Sequence, residues 1–296
     1  MTDIPGRSLP RFLDPASIQH IQEYVLNQQN PDGGFRGRSP ESDLYYTVFG
    51  LTCLAILQMP IPATVVCGYL DPFGDGANLD FVHLTCLSRC WGFLTQDLLA
   101  RPLLQTALAK RLAAYQCADG AFHRQIGQDQ GLAYESFLAV QAHLSLQLAV
   151  PRATELCAAL QRLRTADHAF ANTTGAIHGT TTVTAAVVML WRLFGHELSP
   201  QIAEWLLERQ HPHGGFTAHP NISTPDLLAT ATALQALAVL HRLQDVHRPA
   251  CLHFVEHLWT DSGGFCGHWN DPMPDCEYTF YGLLALDWLA ASGPLP

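Results

Sequence analysis

The segment Gln29–Phe35, which reads QNPDGGF, is the first of five related copies along this chain of 296 residues. Three later copies close on Phe122, Phe216 and Phe265, and a shorter copy spans Thr165–Phe170. The last three intervals between closing phenylalanines are 48, 46 and 49 residues, and the first interval, of 87 residues, is about two periods. Since a period of this size is typical of repeat architectures, the sequence predicts a repeat fold in which one copy has lost its signature.

Each copy lies between two segments with helical periodicity. In the first repeat, Ile18, Ile21 and Val25 follow the spacing of one helix face. The glycines of the copy permit a turn with positive φ, and the phenylalanine after them is expected to enter the core. A second and far more apolar helix follows, from Leu44 to Met59. The repeat unit is therefore a helical hairpin whose outer helix is solvated on one face and whose inner helix is buried between neighbours.

The repeats predict a single domain over residues 1–296 that begins with an extended arm at 1–14. The hairpins are expected at about 15–58, 60–97, 103–148, 152–194, 200–241 and 247–291. In the second hairpin the expected parts are a short segment at 62–70, a glycine-rich turn at 72–77 and an inner helix at 80–96.

Closure of the hairpins into a ring is favoured over an open solenoid. A solenoid needs polar terminal repeats, and neither end of this series is more polar than its middle. We therefore predict an all-α fold, an α/α toroid of about six hairpins with a central cavity. The cavity is expected to open at the N-terminal ends of the inner helices, where free N–H groups and positive dipole ends point in one direction.

Bulk composition excludes several classes of protein. The formal net charge is −10, with one lysine and no basic cluster, so nucleic acid is not an expected partner. No apolar run reaches the roughly 18 residues of a membrane span, and the first residues lack the pattern of a secretion signal. The nine cysteines form no CxxC pair and mostly lie in apolar helical segments, which favours reduced thiols. These features predict a cytoplasmic protein.

The pattern Gln-x-x-x-Gly-x-Phe followed by an inner helix resembles the repeats of the prenyltransferase and squalene cyclase superfamily. Both branches of that superfamily, the protein prenyltransferase β subunits and the class II terpene cyclases, are six-fold α/α toroids. The resemblance covers nearly all of the chain. It implies the same fold and an isoprenoid ligand.

Two stretches are similar to the zinc site of prenyltransferase β subunits. Asp43 matches the ligand aspartate of that family's Asp-x-Cys, but Tyr45 stands at its cysteine position. The segment Asp80–His83 is similar to the family's Asp-x-x-His, and Asp275–Thr279 resembles it with a tyrosine in place of histidine. The resemblance thus implies a possible zinc site. Its candidate ligands are Asp43, His83, Asp275 and Cys276.

The departures from that pattern leave a structural alternative open. A thiol-activating zinc needs thiolate and imidazole ligands, and both positions are altered here. Aspartates at the starts of inner helices are also common N-caps. The aspartates to which this alternative applies are Asp43, Asp80, Asp226 and Asp275. The cyclase branch would need an Asp-x-Asp-Asp cluster, which this chain lacks.

Aromatic and basic residues suggest a ligand site. Aromatic rings can bury an isoprenoid chain and attract a cation, although such rings also serve as inter-helix packing. The candidates for the cavity lining are Tyr45, Phe49, Tyr134, Phe137, Phe280 and Tyr281. Cations in equivalent loops could bind a diphosphate, although loop cations are also commonly solvated. The candidates for diphosphate binding are Arg36, Arg38, His123, Arg124, His219 and His268.

Three classes of function follow. The first is an isoprenoid-handling enzyme that holds a prenyl diphosphate and transfers or rearranges its chain. Its candidate catalytic residues are Asp43, Tyr46, His83, Asp275, Cys276 and Tyr278. The second is a non-catalytic toroid that binds a lipid or a peptide tail. The third is a β-like subunit that works with a protein partner.

Overall fold

Each repeat of the described chain, residues 13–291 of the computed structural model, is a helical hairpin. The arm predicted for residues 1–14 lies outside these residues except for its last two. The helices are α1 (Pro15–Asn27), α2 (Leu44–Ile56), α3 (Ala63–Leu70), α4 (Phe81–Phe93), α5 (Thr95–Leu99), α6 (Pro102–Ala113), α7 (Ala133–Ser145), α8 (Ala153–Gln161), α9 (Thr181–Leu193), α10 (Pro200–Leu207), α11 (Leu227–Val239), α12 (Arg248–His257) and α13 (Cys276–Ala291).

Six inner helices form a closed ring. The helices α2, α4, α7, α9, α11 and α13 pack against one another in that order, and α13 packs against α2. The other helices surround this ring, with α5 as a short extra element between the second and third hairpins. The predicted all-α toroid is therefore confirmed. Within the described residues, no helix is long and apolar enough to cross a membrane.

A buried hydroxyl on the inner helix holds each glycine–phenylalanine turn. In the first repeat the backbone N–H of Phe35 donates to Thr47 Oγ1 at 2.9 Å, and that hydroxyl donates to the Asp43 carbonyl at 2.7 Å. The equivalent acceptors for the other four phenylalanines are Ser136, Thr184, Thr230 and Thr279. All five phenylalanine rings are at most 1% exposed. The turn and the first turn of the inner helix are thereby joined as one unit.

Short strands add to this connection in two repeats. Strand β1 (Phe35–Arg36) pairs antiparallel with β2 (Ser42–Asp43), with Phe35 opposite Asp43. Strand β3 (Phe216–Thr217) pairs in the same way with β4 (Pro225–Asp226). The loop between turn and inner helix therefore starts and ends at fixed points on the same end of the ring.

The second hairpin departs from the sequence expectation. Its inner helix was expected to reach residue 96, but α4 ends at Phe93 because Leu94 leaves the helical conformation with φ −107° and ψ 49°. The Thr95 hydroxyl then donates to the Gly92 carbonyl at 3.0 Å and α5 begins. Gly92 itself lies so close to α7 that an added Cβ would approach the Ser145 Cβ to 2.7 Å. Close contact with the next inner helix accompanies this early end.

Backbone conformation explains why the shorter copy still forms a turn. Gly33, Gly120, Gly214 and Gly263 all have φ between +90° and +98°. In the shorter copy His168 takes this position with φ +71°. A non-glycine residue in the left-handed region is strained. The His168 side chain is exposed and makes no hydrogen bond within the described residues.

We predict that His168→Gly stabilises the protein by about 1 kcal/mol, because glycine removes the left-handed strain at an exposed position. Urea unfolding at neutral pH measures the change. His168→Ala is the matched control, since it removes the same ring and keeps a Cβ. Equal stability of the glycine and alanine variants would show that the strain does not exist.

Candidate functional site

The inner helices present three tiers of side chains to the ring axis. Every inner helix except α4 carries its turn-binding hydroxyl four residues after the cap residue. The residue two positions before that hydroxyl lies about 200° away from it around the helix axis. Counted from the cap residue, positions +2, +6 and +9 therefore form one stripe that faces inward. We call the space they enclose the lumen.

The tiers differ in chemistry. The mouth tier, at position +2, consists of Tyr45, Val82, Tyr134, Thr182, Leu228 and Glu277. The middle tier, at +6, consists of Phe49, Cys86, Leu138, Ala186, Thr232 and Tyr281. The deep tier, at +9, consists of Thr52, Arg89, Gln141, Met189, Gln235 and Leu284. Aromatic side chains are concentrated on α2, α7 and α13, and the deep tier is the most polar.

The lumen is open to solvent. Tyr134 is 37% exposed although it lies on an inner helix. All other mouth-tier side chains are half-buried, as are most of those in the deep tier. The middle tier is less accessible, with Phe49, Cys86, Leu138, Ala186 and Tyr281 at 3–9% exposed, so the lumen narrows between its mouth and its deep end.

Side chains from distant helices interact across this space. Burial raises the pKa of Tyr281 well above its ordinary value, and the charge of Tyr134 raises it further. Tyr281 lies on α13 and Tyr134 on α7, which α2 and α4 separate along the ring. Both residues hold inward positions, Tyr134 in the mouth tier and Tyr281 in the middle tier. The residues predicted to line the cavity include Tyr45, Phe49, Tyr134 and Tyr281, which occupy inward positions of this register, and their role in binding a ligand stays a prediction.

Glu277 is a carboxyl group within the aromatic side of the lumen. The Tyr45 hydroxyl donates to its Oε1 at 2.6 Å. The Phe49 ring lies 5.1 Å from the Tyr45 ring, 5.5 Å from Phe280 and 5.9 Å from Tyr281, measured between centroids. Burial raises the pKa of Glu277 above its usual value, against the opposing effect of the Tyr45 hydrogen bond. This environment favours a protonated acid. Glu277 was not among the residues selected from the sequence.

His83 bridges two aspartates at the mouth. Its Nδ1 lies 2.9 Å from Asp80 Oδ1, and its Nε2 lies 3.6 Å from Asp43 Oδ2. Burial alone would lower the pKa of His83, but hydrogen bonding to Asp80 and the charges of both aspartates raise it above its ordinary value. Asp43 also accepts from the Tyr45 N–H and Asp80 from the His83 N–H. Both aspartates are therefore N-caps and ion-pair partners at once.

The four candidate zinc ligands do not meet. Cys276 is fully buried beside Cys53, whose Sγ contacts the Cys276 carbonyl at 3.7 Å. Burial also raises the pKa of the Cys276 thiol. Asp275 caps α13 and is 3.5 Å from Arg38. Within residues 13–291, no group of three or more His, Cys, Asp or Glu side chains is arranged to hold a metal ion. The donor set does not fit a thiol-activating zinc.

The residues predicted to bind a diphosphate each bind a different local partner. Arg38 pairs with Asp271 at 2.6 Å, and Arg124 pairs with the buried Glu135. Arg36 donates to the Asn27 carbonyl on the outer side of the hairpin. The ring nitrogen Nδ1 of each predicted histidine accepts from the backbone N–H two residues further on, in His123, His219 and His268. The loop cations do not converge on one anion site.

The tyrosines predicted to be catalytic at the mouth pack beneath the loops. A Cβ on Gly37 would lie 2.0 Å from the Tyr46 ring, and one on Gly267 would lie 2.2 Å from the Tyr278 ring. Both rings therefore occupy the space that these glycines leave. Among the predicted cavity-lining residues, Phe137 stacks with Tyr134, with 6.4 Å between the ring centroids.

Two surface clefts lie outside the lumen. One of about 440 Å³ is lined by Asp71, Trp91 and Arg101 among others, and its charged residues already pair with each other. The other, of about 450 Å³, is lined by residues that include His196, Leu198 and Arg242, at the C-terminal ends of α9 and α11. Neither cleft gathers an acid with a raised pKa and aromatic rings, so the lumen is the better candidate.

The stability of the protein should depend on pH through Glu277. Because its pKa in the folded protein exceeds the usual 4.5, its stabilising contribution is complete below that value and is lost as the pH rises through the folded pKa. We predict that Glu277→Gln removes this component, so that the difference in unfolding free energy between the wild type and the variant falls from pH 4.5 upward. Urea unfolding at a series of pH values measures it. The exposed Glu256→Gln is the control, and a difference that does not vary with pH would contradict the prediction.

The family comparison covers most of the chain. The family model described as prenyltransferase alpha-alpha toroid domain matches residues 12–86, 86–199 and 183–293. No curated protein sequence matches the chain.

Solved structures of similar shape come from proteins with different activities. The type II terpene cyclase MstE from Scytonema, in complex with geranylgeranyl dihydroxybenzoate, has a TM-score of 0.65 at 14% identity and covers 96% of this chain and 97% of its own. Protein geranylgeranyltransferase-I from Candida albicans, complexed with GGPP, has a TM-score of 0.53 at 14% identity over 93% and 78%. An alpha-1,6-mannanase from Salegentibacter has a TM-score of 0.57 at 12% identity over 93% and 98%. At these identities the similarity shows the fold alone, and the chemistry has to be argued from the lumen.

Proposed function

Since the chain belongs to the prenyltransferase alpha-alpha toroid family, we propose that it is an isoprenoid-handling enzyme that binds a prenyl ligand in its lumen and rearranges the chain by acid catalysis. The observation that carries this proposal is Glu277, a half-buried carboxyl held by Tyr45 among aromatic rings. The geranylgeranyl ligands of the cyclase and transferase with similar folds are consistent with such a ligand.

The proposed step is protonation of a carbon–carbon double bond. Tyr45 holds Oε1 of Glu277, which leaves Oε2 to carry the proton. The π electrons form the new C–H bond, the other carbon becomes a cation, and the carboxylate remains on Glu277. A second double bond of the ligand then attacks the cation to close a ring, and the last cation loses a proton to water.

The aromatic side of the lumen suits the charge that develops. Tyr45 bonds the acid, the Phe49 ring packs against Tyr45, and Tyr281 follows Glu277 by one helical turn on α13. Aromatic faces attract cations. A protonated acid with a raised pKa is also the form required for the first step. Loop arginines that already pair with carboxylates give less support to release of a diphosphate at the rim.

We predict that Glu277→Gln lowers kcat about 10²–10⁴-fold, the usual contribution of a general acid, while the ligand still binds. The assay uses geranylgeraniol, geranylgeranyl diphosphate and geranylgeranyl dihydroxybenzoate in D2O, with product masses read for one added deuterium. Glu256→Gln should retain full activity. Turnover that releases pyrophosphate and does not change in Glu277→Gln would overturn the acid role.

Non-catalytic binding is the second candidate. It is favoured by the paired loop arginines and by the full burial of the candidate zinc ligand Cys276. Prenyl ligands that bind tightly without turnover, in the pure protein and in cell extract, would select it. A protein partner would be indicated if the 32.5 kDa chain became active only in a larger complex.

Zinc remains a prediction of the family resemblance. If the transferase reading were correct, purified protein would contain one equivalent of zinc, and His83→Ala would lose it, because His83 is the one imidazole among the candidate ligands. Elemental analysis of both proteins measures this. Less than a tenth of an equivalent in the wild type would remove the zinc-dependent transferase.

A further inference from the structure

Arg89 stands in the deep tier of the lumen without a partner. It lies on α4 at the position that Thr52 occupies on α2 and Gln235 on α11, nine residues after the cap. The side chain is half-buried, and within residues 13–291 it makes no hydrogen bond or ion pair. Eight other arginines of the described chain pair with a carboxylate. They are Arg38, Arg101, Arg111, Arg124, Arg152, Arg162, Arg209 and Arg242.

The charge of Arg89 acts inside the ring. It opposes the rise that burial causes in the pKa of Tyr134 and of Tyr281. Tyr134 belongs to the neighbouring helix α7, but Tyr281 belongs to α13, and α2 lies between α13 and α4 in the ring. The position of Arg89, nine residues after the cap Asp80 on the inward stripe of α4, places its side chain on the lumen side of that helix.

Two glutamines share this tier. Gln141 on α7 and Gln235 on α11 are half-buried, and neither side chain donates or accepts a hydrogen bond within the described residues. Helices α4 and α11 lie on opposite sides of the ring, with α7 next to α4. One guanidinium and two amides therefore surround the deep end of a lumen whose middle tier is largely apolar.

This arrangement costs free energy unless something fills it. A partly desolvated guanidinium without a counter-charge is unfavourable, and a chain of net charge −10 offers many carboxylates that could have been placed beside it. Glu277 does not serve as the counter-charge of Arg89, because it lies in the mouth tier. The mouth tier precedes the deep tier by seven residues, which is about 10 Å along the helix axis. The missing counter-charge is best supplied by a ligand.

We propose that Arg89, with Gln141 and Gln235, binds an anionic head group of the ligand, a carboxylate or a phosphate, at the deep end of the lumen. The proposal rests on the proposed function, which supplies the prenyl chain. It also sets the orientation of the ligand. The head group lies deep and the chain runs toward the mouth, so that a double bond distant from the head group lies beside Glu277.

Binding measurements test the proposal. The ligands are geranylgeranoic acid, geranylgeranyl monophosphate and geranylgeraniol, which share one chain and differ in the head group. We expect the wild type to bind the two anions at least tenfold more tightly than the alcohol by isothermal titration. Arg89→Met should abolish that preference and keep the affinity for the alcohol. Arg89→Lys should retain part of it, and Gln141→Leu should reduce it.

The controls separate the two proposals. Arg192→Met removes one exposed positive charge at the end of α9 and should leave the preference intact. Arg89→Met without ligand should unfold at the same temperature as the wild type or higher, because it removes an unpaired charge. Equal affinity of the wild type for acid, phosphate and alcohol would overturn the head-group site alone. Failure of all three ligands to bind would overturn the lumen as a prenyl site as well. A preference for only one anion would identify the head group as carboxylate or phosphate.

Discussion

The structure depends on one repeated hydrogen bond between the backbone N–H of a buried phenylalanine and a hydroxyl on the inner helix. An N–H in the interior has to find an acceptor, since leaving it unpaired costs about 1–3 kcal/mol. Thr47, Ser136, Thr184, Thr230 and Thr279 provide it. Because each hydroxyl lies one helical turn after the cap, the bond sets the rotation of the inner helix about its own axis. A helix that is rotated differently would lose the acceptor.

That rotation decides which side chains enter the lumen. With the hydroxyl directed at the turn, the residue two positions earlier is directed at the ring axis, and the next inward positions follow at helical spacing. Tyr45 and Glu277 are such residues, and so they meet across the α2–α13 contact at 2.6 Å. On α4, which lacks this hydroxyl, Arg89 holds an inward position counted from the cap Asp80. The scaffold and the contact between Tyr45 and Glu277 therefore depend on the same interaction.

Sequence reasoning identified part of the mouth and missed two charged residues at inward positions. Asp43 and His83 were selected from separate hairpins, and the structure places them 3.6 Å apart. Arg38 and Arg124 were selected as free cations, but carboxylates from other segments bind them. Glu277 and Arg89 were missed because neither stands at a specified position of a family motif. Aligning the repeats on the inner-helix cap would have found them, since both fall at inward positions counted from that cap.

The sequence by itself determined the hairpin, its period and the family, because the phenylalanine-closed turns and the apolar spacing act locally and recur along the chain. It also determined six inner helices that bury most of their surface. Only the tertiary structure decided which polar groups are paired. Ion pairs such as Arg38 with Asp271 join residues 233 positions apart, and their formation depends on the closure of the ring, which brings the last hairpin against the first. The same closure creates the lumen, where an acid is buried and an arginine is left without a carboxylate.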